Sequence, residues 1–251
     1  ILVGIERGFI TKQEGLKRYL KIVDFLERAD RFHGAWPHWL NGETGKVLPF
    51  SEKDNGGDLV ETAFLVQGLL TVSEYFKNGN GDEQLLVSKI DKLWKSVEWD
   101  WYTKGEDVLY WHWSPSYGWE MNFAVGGYNE CLIMYVLAAA SPTHSISKSV
   151  YEKGWARNGT IMSKDSLYNK PLVLDYYQHD NAAIGPLFWA HYSYLGLNPK
   201  GLKDQYADYW KLTQNHAINH HEYAKENPKN YKVYCYSLWG LTSRYSMKGY
   251  A

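Results

Sequence analysis

The chain has 251 residues, 27 basic and 28 acidic side chains, and a formal net charge of −1. A chain of this length can bury roughly 70% of its unfolded surface, enough for one large core, and its balanced charge excludes the basic face that nucleic-acid binding needs. Disorder is excluded by a composition of 45% hydrophobic and 16% aromatic residues, and no apolar run approaches the roughly 18–20 residues of a membrane span.

Cys131 and Cys235 lack any CxxC spacing and lie in apolar runs, so both read as small buried hydrophobes. The first residue is Ile1, without a charged n-region and h-region pair, and the expectation is one domain over 1–251 cut from something longer at one or both ends. The aromatic balance is the first positive clue: 12 Trp and 21 Tyr against 8 Phe. Trp and Tyr combine an apolar face with a polar edge, which suits a wet surface that stacks on a ligand, a sugar being the obvious one. Aromatic-rich helix packing would use the same residues.

In chain order, the periodicity predicts an amphipathic helix over Thr11–Ala29, with Leu16, Tyr19, Leu20, Val23 and Leu26 on one stripe. Leu59–Phe76 is apolar all round and reads as buried on nearly every side. Leu85–Trp101 is amphipathic, with Leu86, Ile90, Leu93, Trp94, Val97 and Trp101 forming its stripe. Val108–Pro115 alternates like a strand and predicts a small hairpin turned at Tyr117-Gly118-Trp119. Asn129–Ala140 is uncharged from Cys131 onward and ends at Ser141-Pro142. Ile146–Trp155 is short and mixed, and Pro186–Leu195 is apolar, opened by Pro186 and closed by Gly196. Lys203–Ala224 is amphipathic, and Tyr234–Thr242 is apolar again. Outer and inner helices thus alternate four times, the pattern of a two-layered helical barrel. The links leading into inner helices are long (30–57, 102–128, 156–185) and gather on one rim, although 225–233 is shorter; loops beyond about 12–15 residues are usually functional. A closed barrel has six such pairs, so the barrel is expected to be incomplete in this chain.

The chemistry belongs on that rim. Asp54-Asn55-Gly56-Gly57-Asp58-Leu59-Val60-Glu61 leads straight into the first inner helix. Its glycine turn is expected to bring backbone close to whatever binds, and three carboxylates there suit proton chemistry or polyol binding. Asp58 and Glu61 alone also fit a helix capping box. Gly126-Gly127-Tyr128-Asn129-Glu130 opens the second inner helix in the same manner. Burial of Glu130 would raise its pKa, as a general acid working near neutrality requires, while a first-turn Glu favoured by the helix dipole is the plainer reading. Aromatic loops flank these acids: Trp36-Pro37-His38-Trp39, Trp111-His112-Trp113-Ser114-Pro115-Ser116-Tyr117-Gly118-Trp119 and Asp175-Tyr176-Tyr177-Gln178-His179-Asp180. His216, His220, His221 and Glu222 do not follow HExxH and lie on an outer helix, so no metal is assigned. No P-loop or dinucleotide pattern occurs, and no cofactor is expected.

Several runs resemble the glycoamylase-like superfamily, with the nearest likeness to bacterial endo-β-1,2-glucanases. They are Asp54 through Phe64, Trp111-His112-Trp113-Ser114-Pro115, Gly118-Trp119-Glu120-Met121-Asn122, Tyr128-Asn129-Glu130, Ala140-Ser141-Pro142-Thr143-His144 and His191-Tyr192-Ser193-Tyr194-Leu195-Gly196. The resemblance implies an all-α (α/α)6 barrel, or toroid, and inverting hydrolysis of β-1,2-glucan at a site holding Asp54, Asp58, Glu61 and Glu130. It implies a periplasmic or secreted protein, and a further acid of the site beyond this chain, which leaves the base open between that residue and those present. The reading is therefore a glycoside hydrolase in which Glu130 protonates the leaving oxygen and Asp58 or Asp54 activates water or orients the sugar. Glu61, Trp36, Trp39, Trp111, His112, Trp113, Tyr117, Trp119 and His179 would line the oligo- or polysaccharide. The alternative is a glycan-binding or glycosyl-transferring module of a larger glucan-processing protein.

Overall fold

The computed structural model describes residues 1–175 and 185–240, and the backbone of 245–246 and 249–250. It is mostly helical, with α1 over Leu2–Glu6, α2 over Lys12–Arg28, α3 over Leu59–Phe76 and α4 over Asp82–Lys95. These are followed by α5 over Leu132–Ala140, α6 over Leu187–His191 and α7 over Tyr209–Glu226. Thr11 starts α2 with a reciprocal capping box to Glu14. Asp208 caps α7, whose end is set by Asn227 in the left-handed conformation.

The two kinds of helix sort as their patterns predict. The apolar α3 and α5 pack on each other, α4 backs α3, and the amphipathic α2 and α4 lie together. The core joins Leu59, Ala63, Val66 and Phe76 of α3 to Leu86 and Ile90 of α4 and to Met134 and Tyr135 of α5.

Several elements differ from expectation. The helix predicted to reach Trp101 stops at Lys95, because the Glu98 amide turns back to the His33 carbonyl and Asp100 caps a separate 3-10 turn, Trp101–Thr103. Trp101 is 40% exposed there rather than buried on the stripe. Val150–Trp155 winds as a π-type turn. Pro186–Leu195 divides into α6 and a 3-10 turn, Tyr192–Leu195. The predicted helix Tyr234–Thr242 is absent through residue 240: the chain there is irregular, with one bridge between Cys235 and Leu238, and 241–242 lie outside the described residues. Cys235 is accordingly exposed, while Cys131 is buried.

The rim ribbon has two partners instead of one. Leu109–Tyr110 pairs antiparallel with Ala124–Val125, the return of its own loop, whereas His112–Trp113 pairs with Gly57–Asp58. The Asn-Gly-Gly turn is glycine-rich for this second pairing. A Cβ on Gly56 would sit 2.0 Å from the Trp113 carbonyl oxygen, and one on Gly57 would sit 2.0 Å from Tyr102 Oη. The glycines thus admit a neighbouring strand and a tyrosine. Since the obstacle at Gly56 is backbone, Gly56→Ala is expected to cost about 1–3 kcal/mol, read as a lowered denaturant midpoint.

Candidate active site

Asp58 is the N-cap of α3. Its Oδ1 accepts from the amides of Val60 at 2.9 Å and Glu61 at 3.0 Å, and its Oδ2 lies 2.8 Å from His38 Nδ1. The side chain is fully buried. The Asp58 amide donates to the Trp36 carbonyl at 2.9 Å, so the second half of a capping box does not form. Glu61 is among the residues lining a mainly apolar cavity of about 750 Å3, with Phe64, Gln67 and Tyr192.

Asp54 is held by the same turn and is 2% exposed. Its Oδ1 lies 3.2 Å from His112 Nε2, which also receives the Gly56 amide at 3.1 Å. Asp54 Oδ2 and His112 Nδ1 are buried without a hydrogen-bond partner. One donor atom each from His38, Asp54 and Asp58 falls within 4.8 Å of the others. That spacing could suit a cation, but His38 and Asp58 already bond to each other, and a single uncommitted carboxylate oxygen is a poor cage.

Glu130 sits just ahead of α5, whose start is fixed by Asn129 Oδ1 accepting the Cys131 amide at 2.9 Å and by Ser193, whose hydroxyl donates to the Glu130 carbonyl at 2.7 Å. Burial pushes the Glu130 pKa up to about 7, against the pull of its own amide and helped by the nearby Glu61 charge. Glu61 is raised as well, by burial and then by Asp58, with His38 opposing. Burial works against charging His38, yet Asp58, backed by Glu61 and Asp54, outweighs it and raises the imidazole's pKa. The buried Cys131 thiol feels Glu130, Asp58 and Glu61 together. The acids of two separate loops therefore share one neighbourhood: one carboxyl can carry a proton near neutrality, and an uncommitted carboxylate oxygen can accept one.

Of the aromatic residues expected here, Trp39 is 45% and Tyr117 37% exposed. Trp39 stands edge-on to Phe50 and His38, and His38 stacks on Phe50 at 4.1 Å. Trp111, Trp113 and Trp119 are half-buried, and His112 is buried beside Asp54. Trp36 is a correction. Its indole lies in the core, donating to the Leu26 carbonyl at 3.2 Å under the Arg31 guanidinium, so its backbone serves the rim and its ring does not. His179 lies outside the described residues. The sequence reading includes His38 in an aromatic loop but names only Trp36 and Trp39 of that loop as site residues; the available signal was a histidine in an aromatic loop that precedes an acidic turn.

Because Glu130 binds its proton more tightly folded than unfolded, it lends stability at low pH that is lost as pH rises from about 4.5 to about 7. Glu130→Gln is therefore expected to match the wild type at pH 4 and to exceed it at pH 8 by about 1–2 kcal/mol, roughly 2–8 °C in Tm. Paired thermal melts check this, and equal melting temperatures at pH 8 would contradict it.

A sequence profile described as putative glucoamylase matches residues 122–251. An exo beta-1,2-glucooligosaccharide sophorohydrolase of Parabacteroides distasonis is 45% identical, over 86% of this chain and 32% of its own length. The endo-beta-1,2-glucanase of Chitinophaga pinensis, solved with sophorotriose and glucose, superimposes with a TM-score of 0.95 at 62% identity, covering all of this chain and 60% of that one. A putative glucoamylase from Bacteroides caccae gives 0.95 at 56% identity, again covering 60% of that chain. This chain thus spans less than two thirds of the length of these relatives. On these matches, the chain belongs to the glycoamylase-like family.

Proposed function

We propose that this chain carries part of the active site of an inverting glycoside hydrolase that cleaves β-1,2-linked glucan. The observation that carries the reading is the half-buried Glu130 carboxyl, raised to about 7 beside Glu61 and sharing a neighbourhood with Asp58. Supporting it, three relatives, at 42%, 45% and 62% identity, are named as hydrolases of β-1,2-linked glucans or gluco-oligosaccharides. The full protein is read as an (α/α)6 toroid in which 1–251 forms most of one domain, in the periplasm or outside the cell.

In this mechanism Glu130 is neutral when substrate arrives and protonates the glycosidic oxygen as that bond breaks. A water on the opposite face of the ring loses its proton to a carboxylate and attacks the anomeric carbon. Inversion places the two carboxyl groups about 6.5–9.5 Å apart. Within this chain Asp54 Oδ2 is the acceptor left for that water or for a sugar hydroxyl. Both oxygens of Asp58 are engaged, so Asp58 orients the site through His38 and the α3 terminus. Trp39, Trp111, Trp113 and Tyr117 offer faces or edges to the glucose rings, with His179 as a further expected contact.

The test is release of reducing ends from β-1,2-glucan by the full-length protein. Glu130→Gln is expected to keep less than a tenth of wild-type turnover, and retention of more would end the acid assignment. Binding of sophoro-oligosaccharides without reducing-end release by the wild type would favour a binding or transferring module instead. Since the acid must be protonated, kcat/KM of the wild type is expected to fall as pH rises through about 7. A profile flat to pH 9 would contradict this.

A further inference from the structure

Trp101 is 40% exposed, yet it is not loose. The His33 ring stacks on it at 3.7 Å and 14°, and His33 is itself braced by Glu98, Nδ1 to Oε2 at 3.0 Å. Asp100 Oδ1 accepts from the Trp101 amide at 3.1 Å, fixing the turn beneath it. An indole held in place while a large part of its apolar surface faces water is a poor core residue and a prepared platform. Trp119 stands 6.3 Å away, tilted by 32°. Both tryptophans line a cavity of about 420 Å3, within the roughly 300–1,000 Å3 of small-ligand clefts, whose walls also include Glu98, Asp100, Lys104 and His144.

The chemistry of that lining selects its occupant. Two indole rings bury the C–H faces of a flat, weakly polar ring. Around them stand groups of both signs, arranged for hydroxyls rather than for an ion: the Asp100 carboxylate, 3.1 Å from His144 Nδ1, and the Lys104 ammonium, donating to Asn122 Oδ1 at 2.9 Å. A neutral polyol ring fits this mixture better than a hydrocarbon or a charged metabolite. None of the acids of the active site lines the cavity. The two regions are nevertheless continuous, since Trp113, whose strand pairs with Gly57–Asp58, meets Trp101 edge-on at 6.3 Å and His33 at 4.9 Å.

We infer that the Trp101–Trp119 cavity is a second saccharide-binding site, one aromatic layer away from the acids, that holds a pyranose unit of the glucan on which the catalytic groups act. The identity of that glucan rests on the proposed function; the existence of the site does not. A second grip on one polymer raises its effective concentration at the first site, so the cavity favours long chains over short ones.

Affinity electrophoresis tests this, with Glu130→Gln protein as the parent so that the gel glucan is not consumed. Gels contain β-1,2-, β-1,3- or β-1,4-glucan. In β-1,2-glucan, Trp101→Ala is expected to raise the dissociation constant of the parent at least fivefold and His144→Ala at least twofold. Trp210→Ala, which alters a half-exposed indole on α7, is expected to leave it within 1.5-fold. The His144 variant keeps the test valid if loss of the indole disturbs folding, which melts of each variant reveal. Equal retardation of parent and Trp101→Ala would overturn the inference even if the wild type hydrolyses β-1,2-glucan. Retardation that depends on Trp101 only in another glucan would support the cavity and overturn the linkage. No retardation of the parent in any gel would overturn the cavity.

Discussion

The buried carboxylate of Asp58 ties the rim together. One oxygen closes the first turn of α3 by accepting two amides, and the other holds His38, while the residue's backbone joins the Trp36 carbonyl and the strand that carries His112 and Trp113. Removing the partners of this buried carboxylate would leave its oxygens without hydrogen bonds out of water, at a cost of the kind any unsatisfied buried polar group carries. The positions of Glu61 and His112 follow from this one residue, since its carboxylate caps the turn that carries Glu61 and its strand pairs with that of His112.

This arrangement divides the acids by what they have left to offer. Asp58 has no free oxygen, whereas Asp54 has one that no protein group satisfies, and Glu61 is among the residues lining a cavity. Burial beside another acid favours the neutral form of both Glu130 and Glu61, and only at Glu61 does His38 oppose it. Like charges gathered in a low dielectric push protons onto a member that lacks cationic partners. Glu130 is such a member: its own amide is the single group that lowers its pKa. The proton donor thus arises from how hydrogen-bond partners are shared out, and not from any peculiarity of the glutamate itself.

How much of this was legible in the sequence depends on the range of the interactions. The bounds of α3 are those of its apolar run, Leu59–Phe76, because a helix buried all round is specified by its own residues. The clustering of Asp54, Asp58 and Glu61 was likewise readable, being local. Three features were not. Trp36 was expected beside substrate but fills the core, since an aromatic loop residue is placed by what packs over it, here Arg31 and the Leu26 carbonyl. The apolar stretch from Tyr234 lacks a helix through residue 240, which periodicity could not foresee. His38 was not named as a site residue because its importance comes from a partner twenty positions away. The glycines before Asp58 make room for the Trp113 strand and Tyr102, partners that no local pattern names.

The central claim is that burial, helped by the neighbouring Glu61, raises the Glu130 carboxyl far enough to carry a proton near neutral pH. It is tested most directly by carboxyl carbon NMR of protein labelled at glutamate, titrated from pH 4 to pH 9, with Glu130→Gln identifying the resonance. The account predicts a midpoint near 7 for the resonance that this substitution removes. A midpoint near 4.5, that of an ordinary solvated carboxyl, would contradict it.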